Sequence, residues 1–286
     1  MMALNLSFNV NAGSTQYTLD GLSKTLAKSQ AKLGSGNAIP SAAEDAAGLQ
    51  LSERLNSLLK ATRAAQDNIQ GGYNVLDVTD GALSQTGETL QRMRELTVQA
   101  GNDTLDASAR GAIQDELSQL QQEVSRTASS TSFNGQTLLN GSISQYSVQV
   151  GTGSQANQDT LDLAQANTTN PFSATDATSL GVNALDVSTS SNAQTSLASI
   201  DNALSTIGQQ RASVGALSKR LNSALDAVQV SEENLGASAA RIRSVDYAKE
   251  ATRNFQTSIQ QSASVGILAQ SNFTNRSVAG LLTGEV

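Results

Sequence analysis

The residues able to do chemistry are few in kind. Histidine and cysteine are both absent, which removes imidazole acid–base catalysis, thiol nucleophiles, disulfides and Cys/His zinc sites together. Carboxylates, serine, lysine and tyrosine remain, but no pocket signature gathers them. Gly34-Ser35-Gly36 and Gly151-Thr152-Gly153 have the small residues of a phosphate loop. Neither is followed by Gly-Lys-Ser/Thr, so both read as turns. Lys24, Lys28 and Lys32 recur every four residues; that basic stripe is either a solvated helix face or a contact to an acidic neighbour. Asn-x-Ser/Thr strings such as Asn102-Asp103-Thr104 and Asn140-Gly141-Ser142 are expected by chance in so Asn-, Ser- and Thr-rich a chain, and nothing selects a glycosylated residue within 142–192. The expectation is a protein with no catalytic residues, no cofactor and no metal.

Composition narrows the partners. A net charge of −7 argues against nucleic acid, because phosphate binding needs a basic surface. No apolar run reaches the roughly 18 residues of a membrane span, and the N-terminus MMALNLSFNVNAGSTQ has neither the basic region nor the apolar core of a cleaved Sec signal. Membrane is therefore not an expected partner. Aromatics are only 3% of the 286 residues and tryptophan is absent, so no large compact core is advertised. With charged residues at 15%, the polar surface suits a protein whose faces meet other protein.

What positions these residues is a seven-residue repeat. Ile200, Ile207, Val214, Leu221, Val228, Leu235 and Ile242 form one unbroken branched-aliphatic column, the mark of a long helix packed lengthwise on others. Leu55, Thr62, Ile69, Leu76, Leu83 and Leu90 form a matching column in the first half, and Leu58, Ala65, Gly72, Thr79, Thr86 and Met93 a smaller one three residues on. The bulky columns are the expected intramolecular seam, while the small one lets backbones approach.

The prolines, Pro40 and Pro171, leave stretches long enough for such helices. Leu19, Leu22, Leu26 and Leu33, with Ser29 in the vacant heptad position, predict a helix over about 14–33 ended by Gly34-Ser35-Gly36. Upstream, Leu4, Leu6, Phe8 and Val10 alternate as a strand would, though without a visible partner. Long helices are predicted over about 43–100 and 193–245, with a shorter one over 106–129. Asn-Gly pairs at 134 and 140 mark turns. Tyr146, Val148 and Val150, echoed by Leu161 and Leu163, read as strands of a small cap. The last helix, about 247–282, is built on small residues, Ala248, Ala251, Ala263, Gly266 and Ala269, with Phe255, Ile259, Ile267 and Leu281 as its larger ones. Alanine gains little from burial, so both ends are expected to order on assembly.

Specific strings then resemble a family. SAAEDAAGLQLSERL, LQRMRELTVQAGNDT, IQDELSQLQQEVSRTASSTSFNGQTLLNG and NSALDAVQVSEENLGASAARIRSVDYAKEATRNF, followed by ILAQSN, closely resemble bacterial flagellin over roughly 14–141 and 193–282. The resemblance implies a mainly α fold: a long heptad-patterned helical bundle formed by both halves of the chain, a small β-containing cap, and helical termini that pair as a coiled coil. The expected layout is 1–42 inner-core helix and linker, 43–141 first half of the outer core, 142–192 cap, 193–246 second half of the outer core, and 247–286 inner-core helix. Leu19, Leu22, Leu26, Leu33, Phe255, Ile259, Ile267 and Leu281 become the inner-core assembly residues. Two departures stand out. Lys32-Leu33-Gly34-Ser35-Gly36-Asn37-Ala38-Ile39-Pro40-Ser41 replaces the family's usual linker string, placing Pro40 in the linker, and the middle is too short for large variable outer domains.

The resemblance implies an extracellular filament subunit of the bacterial flagellum, exported without a cleaved Sec signal, whose first partner is itself. Further implied partners are the flagellar type III export apparatus, an export chaperone, and hook-associated junction and cap proteins. Arg92, Leu96 and Glu116 match positions through which related flagellins are recognised by the animal Toll-like flagellin receptor. Arg92 and Leu96 lie off the Leu90 and Met93 columns and are expected to face outward, toward a receptor or the next subunit. The rival readings are a hook–filament junction protein, which the LQRMRELTVQA and SFNGQTLLNG strings disfavour, and a helical-hairpin signalling module, which would need a membrane span or sensor domain.

Overall fold

The computed structural model describes residues 9–164 and 169–283, with the side chains of 156–157 and 278–283 outside that description. The predicted strand residues Leu4, Leu6 and Phe8 lie outside the described residues, and Val10 already belongs to a helix. Helix α1 (Val10–Ser35) starts where Asn9 accepts from the Ala12 N–H and ends at Gly36, whose left-handed φ of 69° favours a residue without Cβ. Helix α2 (Ala46–Ala100) follows Asp45, which accepts from the Gly48 N–H at 2.8 Å. Helix α3 (Ala107–Ser130) is capped by Asp106. Strands β1 (Ser132–Phe133) and β2 (Gln136–Thr137) then form a tight hairpin through Asn134 and Gly135, both at positive φ. Strand β3 (Ser147–Gln149), the single turn α4 (Ala156–Asp159) and strand β4 (Thr160–Asp162) build the cap, with β3 and β4 antiparallel in the register Val148↔Leu161. Helices α5 (Ser190–Arg243) and α6 (Tyr247–Thr283) complete the chain.

Two compact units result: Leu58–Glu233, and Met1–Ser57 together with Asn234–Val286. In the first, α2 and α5 run antiparallel. Arg63 binds Glu232 at 2.7 Å, the Tyr73 hydroxyl donates to the Ser218 carbonyl, Arg211 binds Asp80 at 2.9 Å, and Arg94 binds Asp201 at 2.7 Å. Between these pairs lies a dry seam. Ile69, Leu76, Leu83, Leu90, Ile200, Ile207, Val214 and Leu221 are buried in one cluster with Ile113, Leu117 and Val124 of α3. The small column meets the need for close approach: a Cβ on Gly72 would stand 3.2 Å from Val148 and 3.3 Å from Leu221. Its threonines are satisfied within their own helix, since Thr79 and Thr86 donate to the carbonyls of Val75 and Ala82.

The described residues between 138 and 187, in and around β3, α4 and β4, supply more core than their composition suggests. Leu138, Leu139, Phe172, Val182 and Val187 are fully buried. Gln114 of α3 holds this stretch down, donating to the Leu185 carbonyl at 2.9 Å and accepting from the Val187 N–H at 3.0 Å. No described helix is long and apolar enough to cross a membrane.

In the other unit α1 and α6 pair antiparallel. Asn9 donates to the Ser271 carbonyl, Gln261 to the Ser23 hydroxyl, and Ser29 to the Glu250 carbonyl. The 36–45 linker is tied to the α5–α6 turn by Ala38 N–H donating to Arg243 and Val245 N–H donating to Gly36.

Candidate assembly surfaces

The two units treat their apolar side chains differently. Among the described residues, the exposed large hydrophobic side chains are Val10, Tyr17, Leu51, Tyr247, Phe255, Ile259, Val265, Ile267 and Phe273 in the terminal unit, against Val78, Val98 and Val230 in the other. Such a concentration marks a surface made to be covered.

Helix periodicity explains how it arises. The face of α6 turned to α1 is a polar heptad, Glu250, Asn254, Thr257, Gln261, Ser264, Leu268, Ser271 and Asn275, all half-buried or buried. Phe255, Ile259 and Phe273 sit about half a turn away and point to solvent, 70%, 68% and 68% exposed. Ile267 is exposed as well. Leu281 lies in α6 by its backbone, but its side chain is outside the described residues. On α1, Leu19, Leu22, Leu26 and Leu33 are half-buried on the face toward α6, and Ser29, between them, is only 1% exposed. Leu268 carries the apolar contact on the α6 side, and the sequence reading missed it because the larger residues lie on the other face.

The seam residues also divide by unit. Val228 is partly buried, while Leu55, Leu235 and Ile242, in the terminal unit, are half-buried. Their heptad phase is unchanged; what differs is how much surrounds them.

Arg92 and Glu116 come together across α2 and α3, with Arg92 Nη2 2.9 Å from Glu116 Oε1 and a further contact to Glu95. Hydrogen bonding to Glu116 raises the Arg92 pKa. Leu96 corrects the expectation. It is 4% exposed, part of the core rather than an outward residue. The reason is that α2 has neighbours on two sides: the face that brings Arg92 to Glu116 carries Leu96 one turn on, beneath α3. Lys24 and Lys28 are exposed, whereas Lys32 is half-buried and binds Glu44 at 2.9 Å. Gly34 and Ser35 close α1 ahead of Gly36, and Gly151 to Gly153 form a bend after β3. No cluster of ligating side chains suited to a metal occurs among the described residues.

Comparison with known proteins decides the family. The bacterial flagellin N-terminal helical region matches residues 6–144 and the bacterial flagellin C-terminal helical region residues 197–282. This chain belongs to the bacterial flagellin family. A flagellin of Halalkalibacterium halodurans is 34% identical over 97% of this chain and 94% of its own length. Polar flagellin A of Vibrio parahaemolyticus is 30% identical over 98% of this chain and 100% of its own. That second alignment runs over 375 positions, more than this chain has residues, so the relative carries segments for which this flagellin has no counterpart. The short chain lacks a large outer domain. A solved structure titled a putative flagellar hook-associated protein from Vibrio parahaemolyticus shares the fold alone, at 16% identity and a TM-score of 0.55 over 70% of this chain and all of its own. Membership makes this chain a structural, extracellular subunit that polymerises into the bacterial flagellar filament, and the junction-protein and signalling readings are not favoured.

Proposed function

We propose that the two units divide the work of the filament subunit: Leu58–Glu233 is the rigid outer-core block, and the α1–α6 pair is the inner-core element that joins one subunit to others. The expected layout of 1–42, 43–141, 142–192, 193–246 and 247–286 is kept as part of this proposal, with no catalytic step assigned anywhere, although the compact units divide at 57/58 and 233/234, within the stretches that the layout gives to the outer core. The observation that carries the reading is the outward face of α6, where Phe255, Ile259 and Phe273 stand in solvent while polar residues occupy the intramolecular seam. A single soluble domain gains nothing from that inversion. The test is seeded growth on filament fragments, followed by electron microscopy. The parent chain is expected to elongate, and Phe255→Asp or Ile259→Asp to remain monomeric with unchanged helical content. Elongation of both variants at the parent's threshold concentration would sink the assignment.

The family resemblance further supports passage through the flagellar type III export apparatus without a cleaved Sec signal, escort by an export chaperone, and junction and cap proteins at the filament ends. The Arg92–Glu116 pair is an exposed polar surface that we assign to subunit contacts. A Toll-like flagellin receptor binding this chain would read Arg92 and Glu116 directly, with Leu96 acting only by supporting the helix beneath them. Binding of that receptor to Arg92→Ala monomer, compared with the parent, tests the assignment; equal affinity rejects it.

A further inference from the structure

The two Asn-Gly pairs stand in opposite environments. Asn134-Gly135 is the turn of the β1–β2 hairpin, at φ 49° and 79° and closed by the pair Phe133↔Gln136. Among the described residues nothing donates to the Asn134 side-chain oxygen. Asn140-Gly141 lies between β2 and β3, where Asn140 Oδ1 accepts from the Ser142 N–H at 3.0 Å and from the Ser142 hydroxyl at 2.6 Å. The Gly141 N–H donates to no described residue, and Asn140, Gly141 and Ser142 are all exposed.

A turn of this kind folds the side-chain carbonyl forward over the next peptide nitrogen. Two donors on one carbonyl oxygen leave its carbon electron-poor, and they bind more strongly once that oxygen carries charge. Glycine puts no Cβ in the way of its own nitrogen. An oxyanion site therefore sits beside its nucleophile.

We propose that Asn140 is a self-modification site, at which the Gly141 backbone nitrogen attacks the Asn140 side-chain carbonyl carbon beneath the two Ser142 donors. The nitrogen forms the new C–N bond and gives its proton to a solvent base; the side-chain nitrogen takes a proton and leaves as ammonia. The product is a five-membered succinimide. Water then opens the ring at either carbonyl, leaving aspartate or, with the main chain rerouted through the side chain, isoaspartate. Each event turns one amide into one carboxylate and adds one negative charge.

The surroundings make the two products unequal. Aspartate keeps both Ser142 donors on a carboxylate oxygen. Isoaspartate adds a methylene to a main chain that is pinned on both sides: the Thr175 N–H donates to the Leu139 carbonyl, the Asn170 side chain donates to the Ile143 carbonyl, and Leu138, Leu139 and Ile143 are buried. Gly141 is also pressed against Ala174, whose Cβ lies 3.1 Å from where a Gly141 Cβ would stand. The longer chain must lift this segment off the core, so a subunit kept outside the cell loosens here with age.

Two other asparagines serve as comparisons. Asn102 and Asn170 accept from the Thr104 and Phe172 N–H in the same manner. Asn102 precedes Asp103, whose side chain crowds the ring and repels the developing anion, and Asn170 precedes Pro171, which has no N–H to lose.

The test is peptide mapping by mass spectrometry on the full chain, aged in mildly alkaline buffer made with heavy-oxygen water. Asn140 is expected to lose its amide and take up heavy oxygen faster than Asn134 or Asn102, and Asn170 to stay intact. In urea the rates at Asn134 and Asn140 should converge, because the fold no longer separates them. Ser142→Ala is expected to slow Asn140 on the order of tenfold, and Ser142→Thr to react like the parent. Asn134 reacting as fast as Asn140 in the folded chain would overturn the proposal. So would a Ser142→Ala variant at least as fast as the parent, since the donors would then only restrain the side chain. Amide loss at Asn170 would mean direct hydrolysis and reject the ring, while an Asn140 that stays faster in urea would put the cause in local sequence and reject the role of the fold. The isoaspartate fraction, separated from aged protein, is expected to melt below Asn140→Asp; equal melting would refute the loosening.

Discussion

The α2–α5 pair and the α1–α6 pair are built on the same seven-residue repeat, but in the second pair α6 turns its large apolar side chains away from its partner. In the first, Leu76, Leu83, Ile200 and Leu221 close a dry seam and the charges lie outside it. In the second, Thr257, Gln261 and Ser264 line the seam and Phe255, Ile259 and Phe273 lie outside. A heptad thus states that a helix has a lengthwise partner without saying whether that partner is in the same chain. Hydrophobic burial makes the first pair self-sufficient, while in the second the half-buried leucines of α1 meet mostly polar residues of α6, whose hydrogen bonds water can replace.

The largest expected consequence is in hydrogen exchange of dilute monomer. Amides around Leu76 and Leu221 should open only with global unfolding, at roughly 5–15 kcal/mol for a domain, while those of α1 and α6 exchange through local fraying. Equal protection of the two pairs would erase the contrast. Next is Leu221→Asp, which puts a carboxylate into the apolar seam and should cost several kcal/mol in chemical denaturation. Phe255→Asp should leave the same melting curve unmoved, and a comparable loss there would mean that α6 buries its apolar face in the monomer.

Glycine sharpens the contrast at smaller scale. Gly72→Leu drives a side chain into Val148 and Leu221 and should destabilise by about 1–3 kcal/mol. Gly266→Ala meets nothing within 4 Å and should stabilise α6 by roughly 0.5–1 kcal/mol. Thermal melts of the two variants must move in opposite directions for the comparison to hold.

The smallest effect is acid sensitivity. Asp176 is held below the usual carboxylate range first by the Ser179 hydroxyl, Asp186 by the Ser188 N–H, Glu123 by Arg126 and Glu232 by Arg63. All four belong to Leu58–Glu233. A pKa lowered by folding gives stability that is complete above the unfolded value, about 4, and is lost as pH falls through the folded one. The melting temperature should therefore decline on acidification from about pH 5, and Asp176→Asn should decline less steeply. An identical slope for that variant would remove Asp176 from the account. Because these groups are largely exposed, salt will reduce the effect.

Regular elements were legible wherever local chemistry sets them. The helix predicted over 106–129 is found at Ala107–Ser130 because Asp106 caps it, and the Asn134-Gly135 pair makes its hairpin because both residues accept positive φ. Tyr146, Val148 and Val150 marked β3 by alternation, and Leu161 marked its partner. Three features were hidden for one reason, namely that a pattern of residue types does not reveal how many neighbours an element has. Leu96 looked peripheral because only one seam of α2 was counted. The buried Phe172 and Val187 lie among residues with no period, the one tied at its N–H to the Asn170 side chain and the other to Gln114 from another helix. The polar face of α6 was passed over in favour of its larger residues, which are the ones left outside.

The charges flanking α2 and α5 have a mechanical meaning. A seven-residue seam is nearly degenerate: sliding one helix by a heptad, about 10 Å, sets leucines back among leucines. The flanking groups do not repeat that way. Along α2 they read Arg63, Asp80, Arg94, and along the antiparallel α5 Glu232, Arg211, Asp201, so the sign alternates and the spacings differ on the two helices. A slipped pair would keep its grease and lose its teeth. Under shear along the subunit, the two rods therefore have a single register in which all three flanking pairs meet, like a shaft seated in a keyed collar.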